Sequence, residues 1–448
     1  MPANWTRKPL SDNPVTALLT GGTVAALMLV ACSSSSPPTA VDTASANANI
    51  TALTWGDAKY FNTQFGFYQQ DFPNDAKQQT LTVTIGGQND GEAISKFRLA
   101  LSSHQNIPDI MEMNYSALPE FASQNQLADI SSYVGSYLPG MSNAAKTLMQ
   151  YNGKYVAIAY EVKSKLWYYR KDMFAAAGID VTQVKTQQDF IDAGKKLQAK
   201  YAKSYMWNLA PNPQAYILGE ITSGNGSQVY DKSASKFVVD TNPGIRNAFV
   251  AMKDLRNSGV VNTKFDDFTP DWQAALADGT VASVPIASWF STFLPQYAPT
   301  LGGKWGVTVW PAIGGAVGGS EAGGSVFVIP AAAKNKAAAA KFMSDMFMTS
   351  KGELELFKAQ NLVPNVVQAQ SDPSVLNNAY YGADLIKAFQ AADKDYKLFP
   401  YDPAGIKEIS ILQNALANYL SSSAADPSAA LTAANQQMTA QIGNPYSQ

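Results

Sequence analysis

Two chemically versatile residue types are almost missing from this 448-residue chain, which holds one histidine, His104, and one cysteine, Cys32. A His-rich zinc site and a cysteine cluster are therefore excluded, and a Cys-His pair would have to use the thiol at position 32. A Ser-His-Asp arrangement would depend on His104 alone, which sits in the polar segment SSHQN and reads as a solvated loop histidine. No metal and no cofactor is implied. An excess of one charge is lacking too. The formal net charge is −2, so nothing steers the chain towards nucleic acid or anionic lipid. No internal repeat is visible. The glycine-rich stretch from Gly302 to Gly324 lacks the Gly-Lys-Ser/Thr ending of a phosphate-binding loop and reads as ordinary loop.

Near the N-terminus, Val15 to Val30 is uncharged, follows Arg7 and Lys8, and ends in Leu29-Val30-Ala31-Cys32. This is the layout of an export signal. The ending resembles the bacterial lipobox, whose cysteine is acylated and becomes the first residue of the mature protein. A membrane-spanning helix is the competing reading, but it needs about 18 to 20 apolar residues, and this run is shorter and contains two glycines. Residues 1–31 are thus read as a lipoprotein signal peptide, and 32–49 as a tether carrying the lipidated Cys32. The tether sequence SSSSPPTAVDTASANAN has no aromatic residue and one charge, too little to offset the entropy of ordering. As a coil it would reach roughly 20 to 25 Å from the membrane.

The remaining chain, about 400 residues, exceeds the size at which a single core stops growing, so two lobes are expected. From residue 50 the apolar period alternates. Ile50 to Trp55 reads as a strand, Phe61, Phe65, Tyr68 and Phe72 fall at helical spacing, and Thr80 to Ile85 has period two. Ile94, Phe97 and Leu101 mark a second helix, and Ile107 to Met113 a third strand. This β-α-β-α-β rhythm predicts an α/β fold with mostly parallel sheets covered by helices. Further on, Thr186 and Asp189 form a capping pair, Asn242-Pro243 opens a helix, and Ser258-Gly259 closes it.

The segment Tyr151 to Asp180 organises the rest. Asn152-Gly153 suits a type I′ hairpin, AIAYEV leaves it extended, KLWYYR is β-prone, and a short helix from Asp172 closes at Gly178. The order reads strand, crossing, strand, helix. The run resembles the segment that leaves the first lobe and enters the second in the extracellular solute-binding proteins of sugar ABC importers, the family of maltose-binding protein. Asn106-Ile-Pro-Asp109-Ile, NQLADI, WGVTVWP, Gly323-Gly324 through Pro330 and KNKAAAAKFM resemble further pieces of that family in the same order.

The resemblance implies a two-lobed periplasmic-binding-protein-like fold with a ligand cleft between the lobes. Lobe one would take 50–162 and 324–363, and lobe two 163–323 and 364–448. It also implies a lipid-anchored protein on the extracytoplasmic face of the cell membrane. Such a protein would act as a monomer, binding a mono- or oligosaccharide and delivering it to ABC permease subunits. Carried over position by position, the ligand contacts would be Asp57, Gln88, Asn89, Asn114, Tyr115, Glu161, Trp207, Trp289, backbone groups of Gly323 and Gly324, and Tyr401. Two departures stand out: the crossing lacks the family's usual proline, and the loop after Trp207 does not match. Trp55 and Trp167, inside strand patterns, read as core. Two other functions compete: a glycoside hydrolase using two carboxylates among Asp57, Glu112 and Glu161, and a sugar-binding sensor that reports to a membrane receptor.

Overall fold

A computed structural model describes residues 47–210, 228–311, 313 and 321–447. The export signal, Cys32, most of the tether and the segment following Ala210 lie outside the described residues. Ala48 is already buried and pairing begins at Asn49, so the folded body starts slightly earlier than expected.

The alternating rhythm becomes three parallel strands, β1 (Asn49–Thr54), β2 (Thr80–Ile85) and β3 (Ile110–Asn114), with β1 in the middle. Helices α1 (Lys59–Asp71) and α2 (Asp90–Ser103) carry the chain between them. The expected hairpin follows. Asn152 and Gly153 both have positive φ (48° and 79°), and Gln150 and Tyr151 pair with Tyr155 and Lys154.

Next comes β4 (Ala157–Arg170), 14 residues of uninterrupted strand where the sequence reads as two strands separated by a crossing. The reason lies in its partners. The first half pairs antiparallel with β7 (Glu321–Val328), and the second half is flanked by β5 (Ser283–Ala287) and β6 (Trp305–Val309). Backbone groups on both sides of the junction are satisfied by sheet bonds, and no loop is needed. Since β7 also pairs antiparallel with β3, the described strands form one sheet ordered β5-β4-β7-β3-β1-β2, with β6 also on β4. Beyond β5, parallel pairing resumes: Tyr205 bridges Val281, and Trp207–Asn208 pairs with Val261–Asn262. The glycine-rich stretch is therefore not loop throughout; it contains β6 and the start of β7.

Two cores flank this sheet. One gathers Ile50, Phe61, Phe97, Met113, Ile158, Phe327 and Phe342. The other gathers Trp167, Phe190, Trp207, Phe249, Trp272, Trp305 and Leu416. Around the second core, α3 (Gln187–Lys200) starts at the Thr186/Asp189 capping box, and α4 (Pro243–Asn257) starts where Asn242 Oδ1 accepts from the N–H groups of Gly244 and Ile245. Helix α5 (Phe290–Tyr297) follows β5. Helices α6 (Lys336–Phe347) and α7 (Ser350–Gln360) follow β7, and α7 ends at Asn361 in the left-handed conformation, φ 58°. His104 caps α2 in the same conformation and is exposed. Among the described residues no helix is long and apolar enough to cross a membrane.

Candidate functional site

A cavity of about 720 Å³ opens where β4 passes between the two cores, within the usual range of small-molecule sites. Trp55 enters from just past the end of β1, and Glu112 and Ser325 from within the paired strands β3 and β7. Helix α5 presents Trp289, Thr292, Phe293 and Gln296, a spacing that places all four on one helical face. The end of α7, residues 358–362, closes the far side.

Between these walls β4 contributes Tyr160, Glu161 and Lys163. Successive strand residues normally point to opposite faces. Here Ala159 pairs with Val326 and Glu161 with Ser325, which leaves Tyr160 as an extra residue in a β-bulge. The bulge breaks the alternation, and two consecutive side chains reach the same cavity.

Two buried carboxyl groups set the electrostatics. Glu112 Oε2 accepts from Thr54 Oγ1 and Tyr60 OH, yet burial outweighs those bonds and pushes its pKa up to about 7. Burial likewise raises Glu161 to about 7 against the pull of Lys163, whose Nζ lies 3.9 Å from Glu161 Oε2. Lys163 Nζ also donates to Asn114 Oδ1 (3.3 Å) and Ser325 Oγ (3.1 Å), tying β3, β4 and β7 together. Glu161 Oε1 is buried and has no hydrogen-bond partner. Such an oxygen is costly unless a donor reaches it.

The aromatic wall is built around Trp289, half-buried, with Phe293 against it edge to face at 5.5 Å. Opposite, Tyr160 stacks on Tyr60 at 5.4 Å and donates its hydroxyl to Gln360 Oε1 at 2.9 Å. Asn361 Nδ2 donates to Ser291 O, joining the end of α7 to α5. Rings, an unpartnered carboxylate oxygen and a nearby ammonium together suit a molecule with an apolar face and a rim of hydroxyls.

Of the residues expected at the site, Glu161 and Trp289 line this cavity. Asn114 reaches it through Lys163. Asp57 lies in an adjoining hollow of about 290 Å³ that shares Ala359 and Gln360, where its Oδ1 accepts from the Lys59 N–H. The others are placed elsewhere. Asn89 caps α2 and lines a separate depression beside Gly86, and the Gln88 N–H donates to Glu92 Oε2. Tyr115 is buried against Tyr401 and donates to Gln150 O, while Tyr401 donates to Glu321 Oε1 at 2.8 Å. Both hydroxyls are thus engaged in holding the fold. Trp207 is fully buried in the second core against Trp310, so the expectation of ligand contact there is corrected. Gly323 and Gly324 lie within β7, outside the cavity lining. A Cβ on Gly324 would meet Leu148 Cδ1 at 3.0 Å, so a larger residue there would have to push the leucine side chain aside.

Several lining residues escaped the sequence reading: Trp55, taken as core, and Lys163, Ser325, Phe293 and 358–362. Trp55 carries a signal in hindsight, since it ends a strand directly before Gly56, where open α/β sheets place ligands. The segment 358–362 carries none.

Residues 58–353 match the family of bacterial extracellular solute-binding proteins. The arabinooligosaccharide-binding protein of Halalkalibacterium halodurans is 24% identical over 222 residues, which is 48% of this chain and about half, 48%, of that protein. The maltooligosaccharide ABC transporter solute-binding lipoprotein of Streptococcus pneumoniae is 25% identical over 446 residues, 95% of each chain. Among solved structures, the sugar-binding protein MalE of Xanthomonas citri superimposes with a TM-score of 0.74 at 17% identity, covering 87% of this chain and 96% of that one. The galacto-N-biose/lacto-N-biose I-binding protein of Bifidobacterium longum gives 0.73 at 20% identity, with 90% and 98% covered. At such identities the likeness establishes the two-lobed α/β fold.

Proposed function

The chain belongs to the bacterial extracellular solute-binding protein family, and from that premise we propose that it takes a mono- or oligosaccharide into the cavity beside Tyr160 for import by an ABC transporter. One observation carries the reading: the half-buried Trp289 shares its cavity with the unpartnered Glu161 Oε1. A sugar ring offers C–H groups to the indole face and hydroxyl donors to the carboxylate. The relatives named for arabino- and maltooligosaccharides support the same ligand class.

In this proposal lobe one comprises 50–162 and 324–363, and lobe two 163–323 and 364–448. The two separate cores support the division in the main, although Val366, Ala369 and Phe389, from the range given to lobe two, pack in the first core. Ligand touching both walls favours their closure through its higher affinity for the closed arrangement. Cys32, outside the described residues, holds the protein by its lipid on the extracytoplasmic face of the membrane, where a single copy meets the permease subunits.

A hydrolytic reading has one observation in its favour, the two cavity carboxyls raised to about 7. Against it, Glu112 Oε2 is already occupied by Thr54 and Tyr60, so binding is preferred. A thermal-shift panel of malto-, arabino-, chito- and galacto-oligosaccharides tests the proposal. A ligand at a hundred times its dissociation constant adds about 2.7 kcal/mol of stability. Recovery of the bound sugar intact supports binding; shortened products overturn it in favour of hydrolysis. Co-purification with permease subunits, rather than with a membrane receptor, separates importer from sensor.

A further inference from the structure

We infer that the cavity selects saccharides bearing a protonated amine, an ammonium group of the ligand supplying the countercharge that Glu112 and Glu161 lack. The inference rests on the saccharide reading above and narrows it to a ligand class. Glu112 and Glu161 both line the cavity, and the cations lining it are Lys163 and Lys358. Lys358 is matched by Glu355, to whose Oε1 its Nζ donates at 2.7 Å. In the adjoining hollow Lys59 and Asp57 are matched one to one. Lys163 is left to serve two carboxyl groups, and it is shared further, because the buried Glu321, paired with Ser164 between β7 and β4, also draws on its charge.

The ammonium of Lys163 is also spread over neutral acceptors. Asn114 Oδ1 and Ser325 Oγ take two of its three hydrogens, and Glu161 Oε2 stays 3.9 Å away. The donors to Glu112 Oε2, Thr54 Oγ1 and Tyr60 OH, are uncharged, and the other titratable groups facing the pair, Tyr160 and Tyr168, bring no positive charge. Burial holds both carboxyls up to about 7, so near neutral pH they carry protons that a second cation beside them would displace. The rings favour the same occupant. Trp55 and Trp289 line the cavity, and among the described residues no lysine or arginine lies over either ring. An ammonium is attracted to an indole face. A hydroxyl can satisfy Glu161 Oε1, which is buried without a partner, but leaves its charge uncompensated; an amine does both.

Calorimetry on the mature chain at pH 6 tests this with matched sugars: glucosamine, N-acetylglucosamine and glucose, as monosaccharides and as β-linked oligomers, and galactosamine, N-acetylgalactosamine and galactose. The amine should bind roughly ten- to a hundredfold tighter than its N-acetyl and hydroxyl counterparts. Each binding event should also release close to one proton, read from the dependence of the binding enthalpy on the ionisation enthalpy of the buffer, because the ligand cation drives a cavity carboxyl to ionise. Glu161→Gln should narrow the preference to about threefold and release fewer protons, with a melting temperature no lower than wild type, because the amide keeps the shape and removes one of the two charges. Equal affinity for amine and counterparts overturns the inference and leaves the saccharide reading standing. So does amine binding without proton release, a preference that survives in Glu161→Gln, or binding confined to neutral sugars of the wider panel. If no saccharide binds at all, the saccharide reading itself falls, an outcome distinct from these.

Discussion

Lys163 Nζ stands 3.9 Å from Glu161 Oε2, and the two side chains come from one strand, two residues apart. Period-two geometry puts them on the same face. The ammonium is held by Asn114 and Ser325 as well, so it is a fixed charge beside the carboxylate rather than a mobile surface lysine. The pair leaves Glu161 Oε1 as an acceptor whose strength depends on whether Glu161 is ionised.

Ligand affinity should therefore depend on pH. Glu161 is pushed up to about 7, so it takes a proton as pH falls through that value and loses its charge-assisted acceptor. The dissociation constant should rise about tenfold between pH 8 and 5.5, the difference between a charged and a neutral hydrogen bond. Glu161→Gln should bind weakly at every pH, and its profile should be flatter. A wild-type affinity independent of pH across this range would remove Glu161 from the site.

Stability should respond to pH through Glu353, a buried carboxyl that accepts from the Asn365 N–H and is raised by burial to about 8. The folded state keeps this proton where the unfolded chain has already lost it. The penalty is absent below the ordinary value of 4.5, grows as pH rises, and is complete above about 8. Its upper bound is on the order of 3 to 5 kcal/mol. Glu353→Gln should raise the melting temperature at pH 9 and leave it nearly unchanged at pH 5. A lower melting temperature at pH 9 would contradict the assignment.

Trp289→Ala should lose on the order of 2 to 4 kcal/mol of saccharide binding, roughly thirty- to a thousandfold, because a sugar covers one face of the ring and association costs offset part of the gain. The indole is half-buried at the start of α5, so ligand-free melting should change little. Calorimetric affinity beside the melting temperature decides the matter. Retained affinity with a large drop in melting would make Trp289 a core residue.

Cys32→Ser should remove the lipid and release the protein from the membrane fraction. Fractionation followed by mass spectrometry of the N-terminus provides the measurement. Full retention of an unprocessed chain would support a membrane-spanning segment instead.

The sequence by itself determined what depends on neighbours a few residues away. Asn152-Gly153 makes its turn because both residues tolerate positive φ; Thr186/Asp189 and Asn242-Pro243 start helices because their side chains or missing N–H resolve the first turn locally. The ordered resemblance across the chain added the family and, through it, Glu161 and Trp289. Only the tertiary structure decided which residues share the cavity. The bulge that turns Tyr160 and Glu161 to one side exists because β4 meets β7 in a particular register, and that partner lies some 160 residues downstream. Trp55 and Trp207 both sit in β-prone runs, yet one reaches the cavity and the other is sealed against Trp310. Burial is a property of what packs over a side chain, and no local pattern encodes it.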